Sequence, residues 1–117
     1  MGLKLKSKPA QRIVNRIIRR YRPKKIIVFG SFARGDIHQG SDLDLVIIKN
    51  TKERFLKRMD RVLDLCDGEI AVEPLIYTEA EFEKMLEEGN DFLETVVSEG
   101  KVVYERKTNT TKSPSNS

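Results

Sequence analysis

Ile26-Ile27-Val28-Phe29-Gly30-Ser31-Phe32-Ala33-Arg34-Gly35-Asp36 begins as a continuous apolar run and ends as a turn held between two glycines. Four apolar residues closed by glycine read as a short strand buried on both faces. The spacing of Gly30 and Gly35 leaves room for one short helical segment. Residues 36–41 are polar and contain glycine, so they read as a loop, and a second strand follows over 42–48. Its alternation puts Asp42, Asp44, Val46 and Ile48 on one face, against Leu43, Leu45 and Ile47 on the other. Both faces are apolar beyond Asp44, so the two acids stand at the mouth of a central strand.

Outward from this pair the pattern alternates helix and strand. Ile13, Val14, Ile17, Ile18 and Tyr21 share one face of a helix over 9–21, with Pro9 in its first turn and Pro23 stopping it. A second amphipathic helix is expected over 51–66, its stripe made of Phe55, Leu56, Met59, Val62, Leu63 and Cys66. A third strand spans 70–77. Pro74 cannot donate to a ladder, so an edge, a bulge or a strand end is expected there. Thr78 and Glu81 form a capping-box signature opening a helix with Phe82, Met85 and Leu86 inside. Asn90 caps a helix over 91–99 that Gly100 closes, and Val102-Val103-Tyr104 supplies a last strand. The fold class is α/β, of the α+β kind. The connection between the first two strands is short, so a mixed sheet of about four strands flanked by helices is expected.

The 117 residues, 38% of them hydrophobic, suffice for one compact domain over 1–107. Residues 108–117 are Ser, Thr, Asn and Lys around Pro114 and read as a disordered polar tail. Asn109-Thr110-Thr111 matches a glycosylation acceptor by pattern alone. A single cysteine, Cys66, cannot form an intrachain disulfide, and no stretch approaches the ~20 apolar residues of a membrane helix. The start lacks the apolar core of a secretion signal, and Lys6 stands where a myristoylation signal wants Ser or Thr. A soluble cytoplasmic protein without membrane contact is the expectation.

The net charge of +4 conceals an asymmetry. Residues 1–25 carry ten basic side chains and no acid, whereas residues 26–105 carry nine basic against all eighteen acidic ones. Such a basic arm could face an anionic partner, although solvated helix charge is the commoner explanation. No aromatic interleaving accompanies it, so nucleic acid is not the expected ligand.

Two acids at i and i+2 of a strand point the same way, with Cα atoms roughly 6.6 Å apart. Their carboxylates can converge on a pair of ions, and two-metal sites hold ions about 3.5–4 Å apart for in-line phosphoryl displacement. Oxygen-only ligands favour Mg²⁺ or Mn²⁺. A lone Asp-x-Asp is ordinarily solvated or salt-bridged. Here the acids interrupt an apolar run, where unpaired carboxylates are costly unless a cation, metal or Arg34, neutralises them. Gly30 allows a phosphate close to the backbone, and the Ser31 hydroxyl and neighbouring amides can donate to it. Taken alone, Gly-Ser after a strand is more often simply a turn. His38 lies in the loop between the motifs, where an exposed histidine without a role is the plainer reading.

Gly30-Ser31-Phe32-Ala33-Arg34-Gly35-Asp36 followed by Gly40-Ser41-Asp42-Leu43-Asp44-Leu45 resembles the GSxARG…SDxDL signature of the minimal nucleotidyltransferases, in the polymerase-beta-like superfamily. The resemblance covers roughly residues 10–105. It implies a mixed sheet flanked by helices, ATP or another nucleoside triphosphate held at Gly30, Ser31, Arg34 and Ser41, and Mg²⁺ or Mn²⁺ on Asp42 and Asp44 with Glu73 as the third metal ligand. The family's third carboxylate, on a neighbouring strand, is matched by Glu73, where the family more often has Asp. Arg34 would neutralise phosphates, or brace Asp36 or Asp42. The implied reaction is attack of an acceptor hydroxyl on the α-phosphate with loss of pyrophosphate, and Asp42, Asp44 and Glu73 are the implied catalytic residues.

The resemblance also implies a partner. Minimal nucleotidyltransferases pair with helical HEPN proteins as toxin-antitoxin systems, which would make this chain the antitoxin and the partner its AMP acceptor. Two alternatives keep the fold: a non-catalytic antitoxin acting by occlusion, and a small-molecule nucleotidyltransferase of the aminoglycoside kind, whose acceptor pocket would require a homo-oligomer. A nucleic-acid-binding module, resting on the basic arm alone, comes last.

Overall fold

The computed structural model describes residues 4–38 and 40–107. The expected polar tail, with its Asn109 pattern, lies outside the described residues, as do the first three residues and Gln39 of the loop. Among the described residues nine elements follow one another: α1 (Lys8–Tyr21), β1 (Lys25–Phe29), α2 (Ser31–Arg34), β2 (Leu43–Ile48), α3 (Phe55–Leu63), β3 (Val72–Tyr77), α4 (Glu79–Glu87), α5 (Asp91–Glu99) and β4 (Lys101–Glu105).

The strands form one sheet in the order β3-β2-β1-β4. β1 is antiparallel to both β2 and β4, whereas β2 and β3 run parallel, so the sheet is mixed. Antiparallel β1 and β2 need only the α2 turn and a loop to connect them, while parallel β2 and β3 need the α3 crossover. β3 bonds only to β2 and forms an edge, which is where Pro74 is tolerated: its missing N–H costs no ladder bond.

The period-two alternation sorts β2 as its sequence does. Leu43, Leu45 and Ile47 pack with Ile13, Val14 and Ile17 of α1 and Val62 of α3 on one face. Val46 and Ile48 pack with Phe82 of α4 and with Leu93 and Val96 of α5 on the other. The sheet is thus covered on both sides, which is why its central strands read as apolar runs. α1 begins where Ser7 Oγ accepts the Ala10 N–H at 3.3 Å, and it ends at Arg22, whose left-handed backbone (φ 55°) returns its N–H to Ile17 O.

The second helix departs from expectation. It covers Phe55–Leu63 rather than 51–66; Leu56 and Leu63 of the expected stripe are exposed, and Arg58 is buried instead. Arg58 is satisfied on all sides: its Nε donates to Glu53 O (2.8 Å), its Nη1 to Ile76 O (3.1 Å), and both Nη atoms to the Glu81 carboxylate at 2.7 and 3.1 Å. The same Glu81 completes the capping box of α4, accepting the Thr78 N–H at 2.9 Å while Thr78 Oγ1 accepts the Glu81 N–H. The Arg58–Glu81 pair therefore ties α3, β3 and α4 together. Cys66 lies beyond the end of α3, with its Sγ 3.4 Å from Val62 O, and only borders the core.

Candidate active site

Register carries the acidic residues to one end of the sheet. Asp44 is the Cα partner of Phe29 on β1 and of Glu73 on β3. Paired residues point to the same face, so Asp44 and Glu73 stand side by side, with Asp42 two residues earlier, just before β2 begins. Burial pushes the Asp44 carboxyl above its ordinary range, and the charges of Glu73 and Asp42 push it the same way. Asp42, Asp44 and Glu73 thus lie near one another at this end of the sheet. None of them has an ion-pair partner among the described residues.

Gly30 faces this cluster. Its backbone (φ 73°, ψ −149°) lies in a region essentially restricted to glycine, and a Cβ placed there would come within 2.5 Å of Asp44 Oδ2. The carboxylate thus lies directly against the turn that opens α2. Ala33 and Arg34 donate their N–H groups to Gly30 O at 3.1 Å, and Gly35, at φ 80°, closes the segment by donating to Ser31 O. The N–H groups of Ser31 and Phe32, in the first turn, have no carbonyl within the helix to bond.

The other expected binding residues are placed differently. Arg34 is exposed, and its Nε lies 3.8 Å from the Asp36 carboxylate. Ser41 organises the loop: its Oγ accepts the His38 N–H and its own N–H reaches His38 O, both at 3.0 Å. One feature of the site had not been expected from the sequence. Phe29, the partner of Asp44, packs edge-on against Phe92 of α5 with ring centroids 5.4 Å apart, and Phe92 keeps 40% of its surface exposed. An apolar wall therefore stands beside the carboxylates. Its only sequence signal was an aromatic residue in the exposed first turn of a capped helix.

The donor set suits a hard divalent ion. Oxygen ligands with mutually repelling charges, one held above its ordinary pKa, gain most from a bound cation. No three His, Cys, Asp or Glu side chains among the described residues gather closely enough to enclose an ion by themselves. Asp42, Asp44 and Glu73, expected to hold the metal together, therefore do not form a ready-made cluster of three ligands.

A family model described as "Polymerase beta, Nucleotidyltransferase" matches residues 11–109, which includes every element from the body of α1 to β4. The chain belongs to the polymerase-beta nucleotidyltransferase family. This nucleotidyltransferase is also 33% identical to a Methanocaldococcus jannaschii protein whose name assigns it as a protein adenylyltransferase, over 83% of the present chain and 96% of the relative. A crystal structure from Sulfolobus solfataricus, titled as a nucleotidyltransferase, matches with a TM-score of 0.51 and 26% identity over 66% of this chain and 70% of that one. The nucleotidyltransferase fold expected from the paired motifs is thus the fold observed. No helix among the described residues is long and apolar enough to cross a membrane.

Proposed function

We propose that this nucleotidyltransferase moves AMP from ATP onto a hydroxyl of a helical HEPN-type partner protein in a divalent-metal-dependent step, acting in the cytoplasm as the antitoxin of the pair. The observation that carries the reading is the register of Asp44 beside Glu73, with Asp42 two residues earlier, against the Gly30-Ser31 turn. The name of the M. jannaschii relative supports protein as the acceptor class and adenylyl as the group transferred.

In this reading Asp42 and Asp44 hold Mg²⁺ or Mn²⁺, and Ser31 and the first amides of α2 donate to the triphosphate. When bound, the ions neutralise the phosphate charge and stabilise the attacking and leaving oxygens. Glu73, exposed on the edge strand, accepts the proton of the acceptor hydroxyl. The acceptor oxygen forms a bond to the α-phosphorus, the bond from that phosphorus to the bridging oxygen breaks, and pyrophosphate leaves with the electron pair. Phe29 and Phe92 give the nucleotide or acceptor an apolar surface next to the reacting atoms.

The test is incubation of the protein and a HEPN partner with Mg²⁺ and ATP labelled at either the α- or the γ-phosphate. Retention of the α-label alone on the partner, lost with Asp42→Asn and Asp44→Asn, supports the reading. If those variants neutralise the partner as well as the wild type does, occlusion replaces catalysis as the antitoxin activity.

A further inference from the structure

A cavity of about 1060 Å³ opens at the end of the sheet opposite the carboxylates, lined by Arg19, Arg22, Lys24, Lys49 and Arg106. β1 starts at this cavity and finishes at Gly30, and β2 runs the other way, so the rise of the strand separates the two ends by roughly 13 Å. We propose that this cavity is a second, non-catalytic site for a small ligand bearing a chain of phosphates, with a nucleoside polyphosphate as the ligand class. The inference goes beyond the reading of the catalytic end and does not depend on it.

The cations are brought together by the fold. The Lys49 ammonium donates to Tyr21 O at 2.6 Å and lies 4.6 Å from the centre of the Tyr21 ring. Arg106 Nη2 donates to Arg22 O, and the Arg106 N–H donates to Lys24 O at 2.8 Å. Capping the negative end of α1 accounts for Lys49 and Arg106. Lys24 is paired with Glu79 at 3.0 Å.

Arg19 and Arg22 are not accounted for in this way, since neither has an acidic partner within ion-pair distance among the described residues. Arg22 moreover holds a left-handed backbone, a conformation for which glycine is the ordinary residue. A charged side chain stands where none is needed to end the helix. No acidic side chain follows Glu105 in the sequence, so none from residues 106–117 can neutralise the group. Burial and the charges of Arg106 and Arg22 press the Lys49 pKa down, with Glu53 opposing them more weakly, as expected where like charges crowd.

The size and walls define the ligand. Small-molecule sites span about 300–1,000 Å³, so the cavity admits a whole nucleotide. Guanidinium groups match phosphate oxygens bidentately, and three arginines with two lysines suit a chain of phosphates better than a single one. Tyr104 and Ile18 supply an apolar wall, and Asn50 an amide, for the remainder of the molecule.

The experiment titrates the full chain, at physiological salt with EDTA, against inorganic triphosphate, ATP and a single-stranded RNA. Calorimetry is combined with backbone amide shifts. Saturable triphosphate binding that shifts the amides of Arg22, Lys24 and Lys49 rather than those of Gly30 and Ser31 is expected. Arg19→Gln/Arg22→Gln weakens it at least about tenfold without moving the thermal midpoint. Arg19→Gln alone, which leaves the end of α1 untouched, weakens it in the same direction. ATP binds more tightly than triphosphate, an advantage lost in Tyr104→Ala. No saturable binding, shifts confined to Gly30 and Ser31, affinity unaffected by the arginine variants, or RNA binding tighter than ATP would each overturn the proposal.

Discussion

Asp44 Oδ2 occupies the space in which a side chain on Gly30 would begin, 2.5 Å from the position of its Cβ. The Asp42-x-Asp44 motif and the Gly30-Ser31 turn are therefore parts of one packed contact. Gly30→Ala must both leave a glycine-only backbone region and displace the Asp44 carboxylate, at a cost of about 1–3 kcal/mol. Urea denaturation is expected to show that loss. Transfer activity is expected to fall by at least about a hundredfold, because small displacements of reacting groups are that costly.

The raised pKa of Asp44 has a definite sign in stability. An acid whose folded value exceeds its ordinary 3.8 binds more protons folded than unfolded. Its contribution is unfavourable above the folded value, and it disappears as pH falls below 3.8. Asp44→Asn is therefore expected to be more stable than the wild type at neutral pH without divalent ions. The gap should close on acidification, and urea midpoints measured for the pair across pH check it. Comparing the two proteins cancels the opposite contributions of Glu53, Glu79 and Glu81, whose carboxyls are held low by Arg61, Asn50 and Arg58 respectively.

Arg58 and Glu81 form the strongest polar link outside the site. Arg58→Ala removes a bidentate pair and two donors to backbone carbonyls, and a cost of about 2–3 kcal/mol is expected. Glu81 keeps 44% of its side chain exposed, which holds the figure below that of a wholly buried pair. The hydrogen bond from Arg58 depresses the Glu81 pKa, so this stabilisation is present above the ordinary 4.5 and is lost as pH falls through the folded value. Arg58→Lys restores the charge without the planar fork, and recovery of less than half the stability is expected in thermal melts.

The apolar alternation of β2 was legible because period two leaves one solution for a strand covered on both faces. The capping box at Thr78 and the edge position of Pro74 were legible for equally local reasons. Helix α3 was not: Leu56 and Leu63 have the right spacing for a buried stripe, yet Arg58 takes the interior because Glu81, more than twenty residues later, supplies its counter-charge. No window of local sequence contains that pairing. The same holds at the site, where the Asp42-x-Asp44 pattern was plain, while the alignment of Glu73 with Asp44 and the Phe29–Phe92 wall depend on strand register and helix docking.

The central claim, that Asp42 and Asp44 hold a divalent ion together with the nucleotide, is tested most directly by titrating Mn²⁺ into the protein with and without ATP, followed by electron paramagnetic resonance. Because two carboxylates without a protein cage need the phosphates to complete the shell, tight Mn²⁺ uptake is expected only with ATP present. It is expected to be lost in Asp42→Asn/Asp44→Asn. Equal uptake of Mn²⁺ and ATP by that double variant and by the wild type would contradict the account.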